Sequence, residues 1–263
     1  MNKYALCIEY VGTRYSGWQR QHHSKSVQES VEQALSIVAD QPVTLIASGR
    51  TDAGVHALHQ CAHFQTDRSR EDKAWVLGVN ANLPSDIAVR SVTPVSDDFH
   101  ARYSTVDRSY RYLILNRVSR SALCHQRVAV VHQPLDDIRM HRIAQCLVGE
   151  HDFSSFRAAG CQAKHARREI FSIDVNRRND VLELQIRGNA FLHNMVRIIV
   201  GSLIRIGDGT APDDWLATVL NLRDRTKAGK TAAACGLYFL GPTYQSRYGI
   251  PHWKDATTES LCI

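Results

Sequence analysis

Between Phe191 and Ile206 the chain carries Met195, Val196, Ile198, Ile199, Val200, Leu203 and Ile204, so a helix here is apolar nearly all round. A helix without a polar stripe has to be buried on every side. Other elements must surround it, which predicts the most buried helix of the protein, lying between domains or under a sheet. A chain of 263 residues can supply that surround, as one large mixed body or as two fused smaller ones.

The surrounding elements come twice, in similar order. Over residues 3–11, Tyr4, Leu6, Ile8 and Tyr10 alternate with Ala5, Cys7 and Glu9, the period of a strand. Ser26 and Glu29 form a capping box ahead of Val27, Val31, Leu35 and Val38 at helical spacing, and Pro42 ends the pattern. A second box, Ser69 with Asp72, precedes Trp75, Val76 and Val79, and residues 43–47 and 86–95 read as strands. The later half gives a strand over 109–115, a helix over 136–148, and strands over 169–176 and 181–187 turned by Asn179 and Asp180. The polar stretch from Ser96 to Asp107 separates the two sets. Subdomains over 1–103 and 104–263 are expected, in an α+β fold.

Composition narrows the class of protein. The longest stretch free of Asp, Glu, Lys and Arg runs from Thr231 to Ser246 and is broken by Gly236, Gly241 and Pro242, too short for the ~20 apolar residues of a membrane helix. No membrane partner is expected. The start, MNKYALCIEY, meets Glu9 after a short apolar run and offers no small-residue cleavage site, so a cytoplasmic location is expected. Seven scattered cysteines, Cys262 among them, form no C-x-x-C pair and read as reduced thiols, most of them small buried hydrophobes. The net charge of +6 favours a polyanionic partner.

Several motifs are empty of the chemistry they suggest. His56, His59, Cys61 and His63 look like metal ligands, but one strand spaces alternate side chains about 7 Å apart, too far for two ligands of one ion. No metal is expected. Ala228-Gly229-Lys230-Thr231 resembles the end of a phosphate loop, yet the earlier glycine that motif requires is Asp224.

Two constellations carry more. Gly49 to Ala57 (GRTDAGVHA) is a glycine-flanked loop holding Arg50, Asp52 and His56. Such a pattern serves a surface turn in which Asp52 accepts backbone N–H bonds, and equally a carboxylate kept ionised by a guanidinium, as a nucleophile or base requires. Phe99-His100-Ala101-Arg102-Tyr103 and Arg108-Ser109-Tyr110-Arg111-Tyr112 interleave aromatics with arginines, which suits base stacking and phosphate neutralisation, and suits a strand with one tyrosine face in the core as well. Arg157, Lys164, Arg167 and Arg168 add a second basic cluster.

Seven blocks in order resemble the tRNA pseudouridine synthase A (TruA) family: residues 10–21 (YVGTRYSGWQRQ), 49–57, 99–104 (FHARYS), 108–112 (RSYRY), 149–156 (GEHDFSSF), 191–201 (FLHNMVRIIVG) and 234–238 (ACGLY). Val11 stands where that family usually has Asp, Tyr103 where Phe is common and Ala233 where Pro is common. The resemblance implies two ferredoxin-like subdomains sharing a mixed, mostly antiparallel sheet with a central basic cleft. It implies an isomerase that turns uridine into pseudouridine at positions 38 to 40 of the tRNA anticodon stem-loop, with no cofactor, acting as a homodimer that binds RNA across both subunits. It further implies that Asp52 is the catalytic carboxylate, that Arg197 pairs with it, that Arg50 assists base flipping and that Tyr110 stacks on the target base. Phe99, His100, Arg102, Tyr103, Lys164 and Leu237 are the remaining expected substrate contacts. A noncatalytic RNA-binding module would use the same basic and aromatic residues without needing Asp52.

Overall fold

The computed structural model describes residues 1–252 and Lys254. Cys262, expected to be a reduced thiol, lies outside the described residues. By contact the chain divides into two units, Met1–Asp107 together with the chain from Tyr238, and Arg108–Leu237. The break falls just beyond the expected 103/104, and the stretch after Tyr238, assigned from sequence to the second subdomain, groups with the first.

In the first unit Asn2–Tyr10 (β1) is the long strand read from its alternation. It is buried on both faces: Tyr4, Leu6 and Ile8 lie in the core on one side, Tyr4 against Trp75, while Ala5 and Cys7 are buried on the other, Ala5 in a cluster with Phe99 and Tyr248. Val27–Ala39 (α1) begins where the capping box places it, with the Ser26 hydroxyl accepting the Glu29 amide at 3.2 Å. Ile46–Ala47 (β2) is all that forms of the strand expected over 43–47. His56–Thr66 (β3) pairs antiparallel with β1, Cys7 opposite Cys61. Asp72–Ala81 (α2) has Glu71 at its N-cap, with no side-chain cap bond, so the Ser69–Asp72 box does not form. Ile87–Pro94 (β4) completes the antiparallel set on the other edge of β1. Tyr4, Phe64 and Trp75 stack where α2 meets the sheet.

In the second unit Asp107–Asn116 (β5) pairs with a parallel strand, Ala129–Val131 (β6). Asp137–Ala144 (α3) is capped by the Asp136 carboxylate, which accepts the Arg139 amide. The helix stops short of the expected Val148 and a tight turn, Gln145–Leu147, leads into Gly149–Asp152 (β7). Arg167–Arg178 (β8) and Val181–Gly188 (β9) form the expected hairpin, with Asn179 at φ 53° in its turn. Strands β5, β9, β8 and β7 lie in that order, all antiparallel. Met195–Gly207 (α4) is the apolar helix, buried over most of its surface; residues 191–194 form its entry turn instead of its first turn. Trp215–Leu222 (α5) follows. The chain then crosses α4 at Gly201, where a Cβ would overlap the Lys230 carbonyl, and a Cβ on Gly229 would sit 2.6 Å from the Gly201 backbone. Gly229 is thus a close-packing residue, which accounts for the false phosphate-loop pattern.

The chain leaves the second unit at Leu237, and Leu237–Thr243 (β10) runs parallel to β3, with Tyr238 opposite His56. Each unit therefore carries a mostly antiparallel sheet with one parallel pairing and helices, an α+β arrangement. Among the described residues no helix is long and apolar enough to cross a membrane.

Candidate active site

In the first unit the Asp52 loop joins β2 to β3, and its shape is set by the preceding block, residues 10–21. Past Tyr10 the β1–β3 ladder ends and a tight turn, Gly12–Arg14, crosses the loop. A Cβ on Gly12 would overlap the Val55 carbonyl. Gly17, at φ 97°, lies so close that a Cβ would stand 2.6 Å from the Thr51 carbonyl oxygen and 3.2 Å from the Asp52 carbonyl carbon. Hydrogen bonds complete the interlock: Trp18 N–H donates to Thr51 O (3.0 Å), Gly54 N–H to Tyr15 O (3.3 Å) and Val55 N–H to Asp52 O (3.1 Å). The Tyr10 and Thr51 hydroxyls are bonded at 2.7 Å. Two glycines thus let one backbone lie on the other, and the result is a half-buried Asp52 on a braced loop beside an exposed Arg50.

That first block is itself anchored at both ends. The Asp86 carboxylate accepts from Arg14 (2.8 Å) and from the Tyr15 hydroxyl (2.6 Å). Burial alone would raise the Asp86 carboxyl, but these hydrogen bonds outweigh it and hold it below the ordinary carboxylate range. Further on, the buried Glu32 of α1 accepts from Arg20, from Gln28 (2.9 Å) and from the Leu45 amide (2.8 Å).

The 99–104 segment in the same unit divides its aromatics. Phe99 is wholly buried against Ala5, Cys61, Ala101 and Tyr248, so this expected substrate contact is an anchor of the segment. His100 accepts the Arg102 and Tyr103 amides at Nδ1, both at 3.2 Å, and its ring lies against Tyr103 (4.3 Å between centroids). Burial, then the charges of Lys3 and Arg102, push the His100 imidazole down. Tyr103 is 77% exposed with the Arg102 guanidinium 5.7 Å from its ring centre. A rigid, wet aromatic beside a cation is the pairing that base stacking requires.

The histidine run of β3 is divided between separate tasks. His56 accepts the Gly12 amide, His63 Nδ1 accepts the Ala101 amide at 3.1 Å, and His59 and Cys61 are buried. Among the described residues no group of three or more His, Cys, Asp or Glu is arranged to hold a metal ion. Among the described cysteines, Cys7 and Cys61 are buried and the other four half-buried, all as free thiols.

In the second unit Tyr110 is half-buried on β5, in register with Ile186, and meets the edge of Phe191 (5.0 Å, 78°). Tyr112 on the same face is in the core, its hydroxyl donating to Ala233 O at 2.8 Å. Arg197, on the first turn of α4, donates from Nε to Ala232 O and from Nη1 to Asn194 Oδ1, both at 2.8 Å. Asn194 sits at φ 59°, so the left-handed entry to α4 and the arginine are held by one contact. Lys164 is exposed and Leu237 is buried. Sequence reasoning named His56 in the loop but not its bracing contact, and missed the bracing roles of Gly12 and Gly17, whose only signal was that they flank Tyr15.

A model of tRNA pseudouridine synthases matches residues 6–104 and 143–245, the segments that hold both Asp52 and Arg197. The chain belongs to that family. Among its curated members, tRNA pseudouridine synthase A of Hydrogenovibrio crunogenus is 51% identical over 251 residues, covering 95% of this chain and 96% of that protein. The Escherichia coli protein of the same name is 52% identical over 249 residues, covering 95% and 92%. Asp52 lies in the first of the matched segments, on the loop braced by Gly12 and Gly17.

Proposed function

We propose that this chain isomerises uridine to pseudouridine at positions 38 to 40 of the tRNA anticodon stem-loop, with Asp52, Tyr110 and Arg197 acting on one target nucleotide. The base first leaves its stack, at a cost of a few kcal/mol. Arg50 assists that step and Tyr110 stacks on the uracil. Asp52 then either adds to C1′, expelling the uracil anion, or removes the C2′ proton to give a glycal; both routes use the same ionised carboxylate, and pairing with Arg197 favours it. After the uracil rotates, C5 bonds to C1′ as the Asp52–C1′ bond breaks or, from the glycal, as Asp52 returns the proton to C2′; the C5 proton then leaves and N1 is protonated, so atoms balance with no added reactant. His100, Arg102, Tyr103 and Lys164 engage the RNA, the enzyme works as a homodimer in the cytoplasm, and no cofactor takes part.

The observation that carries this reading is the placement of Asp52 on a doubly glycine-backed loop within the matched family segment. A module that only bound RNA would have no use for such bracing around one carboxylate. The test is to incubate the protein with an unmodified tRNA transcript bearing uridines at 38, 39 and 40, without added metal or nucleotide, and to map pseudouridine by position. Product at these positions supports the reading; product elsewhere in the tRNA alone would refute the site assignment.

A further inference from the structure

The first residue of β3, His56, is 1% exposed and follows the Asp52 loop directly. Its Nδ1 lies 3.0 Å from the Gly12 amide nitrogen and accepts that N–H. The position matters because the β1–β3 ladder has just ended at Tyr10 opposite Ala57, so no strand carbonyl is in register for the next donors. The imidazole takes the place of the missing ladder bond. Its ring also lies against Tyr238, with centroids 4.7 Å apart.

We propose that His56 is a positioning residue for the catalytic loop: by accepting the Gly12 amide it seats the segment against which Asp52 is held. From Gly12 the bracing continues through the Tyr15 amide, which donates to Gly12 O at 3.0 Å, and back to the loop through Gly54 N–H on Tyr15 O. Two residues on, Gly17 and Trp18 bear on Thr51 and Asp52. A buried amide deprived of its acceptor seeks another partner or water, and the turn that carries it shifts. A shift there moves the carboxylate, and misplacing a reacting group by about 1 Å costs about 10²-fold in rate. The nitrogen that accepts must be unprotonated, so the ring acts here as a fixed acceptor and not as an acid. This inference rests on the reading of Asp52 as the catalytic carboxylate.

Two substitutions separate the acceptor from the ring. His56→Phe keeps a ring against Tyr238 and removes the acceptor; His56→Asn keeps an acceptor oxygen at the place of Nδ1 and removes the ring. If His56 were a packing residue, Phe would be the milder change. The proposal expects the reverse: with full-length protein and an unmodified tRNA transcript, kcat for His56→Phe falls by about 10–100-fold with KM within about threefold, and His56→Asn recovers at least about threefold of that loss. His56→Leu serves as the acceptor-less variant if Phe does not fold. The proposal is overturned if the acceptor-less variant turns over within about twofold of wild type, if its loss is in KM, or if Asn falls as far as Phe. Asp52→Asn is assayed alongside: if it keeps turnover, the reading of Asp52 itself is overturned, whereas an inactive Asp52→Asn beside an unimpaired His56→Phe removes the positioning role alone.

Discussion

Gly17→Ala tests whether the braced loop governs catalysis. Gly17 stands at φ 97°, a conformation that costs a residue with a Cβ about 1–3 kcal/mol, and its added methyl would meet the Thr51 carbonyl oxygen at 2.6 Å. Restoring ordinary contact near 3.4 Å requires the Thr51–Asp52 backbone to retreat by about 0.8 Å. Backbone cannot swing aside as a flexible side-chain tip can, so the displacement passes to the carboxylate. A displacement near 1 Å at a reacting group lowers the rate by about 10²-fold. The strain alone lowers the melting temperature by roughly 2–12 °C for a chain of this size. Single-turnover conversion of an unmodified tRNA, followed with a melting scan, reads both. Turnover within about twofold of wild type and an unchanged melting temperature would refute the account of the interlock.

Other outcomes follow from the same geometry. If the Tyr110 hydroxyl relays the proton leaving C5, Tyr110→Phe slows product formation by roughly 10²–10⁴-fold, and turnover within about tenfold of wild type would refute that relay. His63, pushed down from 6.5 to about 4 by burial and then by His100 and Lys3, stays neutral in the fold. The unfolded chain therefore binds the extra proton between these values, and stability, complete above about pH 6.5, is lost as pH falls toward 4, by at most about 3 kcal/mol. His63→Asn, which keeps an acceptor for the Ala101 amide but does not titrate there, flattens that acid limb in melting scans; an unchanged limb would contradict the assignment. Arg102→Ala lowers tRNA affinity and makes log affinity less steep in log salt, by about one phosphate contact, whereas an unchanged slope would place Arg102 outside the RNA interface.

Much of the fold was legible because the strands alternate and α1 carries a working capping box. β9 shows period-two burial, β1 alternates large with small side chains in sequence although both its faces are buried, and Ser26 caps where the pattern says. The parts that escaped lack a period. β10 is buried on both faces and reads as an undivided apolar run, and β6 and β7 are too short to alternate. Ser69 offered a capping box that the chain does not use because the helix starts at Asp72. At the site, the sequence blocks that carry Asp52 and Arg197, both in segments that the family model matches, were legible. Phe99 was not, since an aromatic among arginines looks the same in sequence whether it stacks on RNA or fills a core, and only its burial distinguishes the two. The roles of Gly12 and Gly17 depend on which backbone crosses them, a long-range fact no local window contains.

The central claim is that Asp52 performs the chemistry while the surrounding loop only holds it. It is tested most directly by measuring pseudouridine formation and tRNA affinity together for wild type and Asp52→Asn, on the same unmodified transcript without metal or nucleotide. The amide keeps the volume of the side chain but serves neither as nucleophile nor as base. The account predicts pseudouridine from wild type, none from Asp52→Asn, and affinities within a few-fold of each other. Wild-type turnover by Asp52→Asn would contradict it.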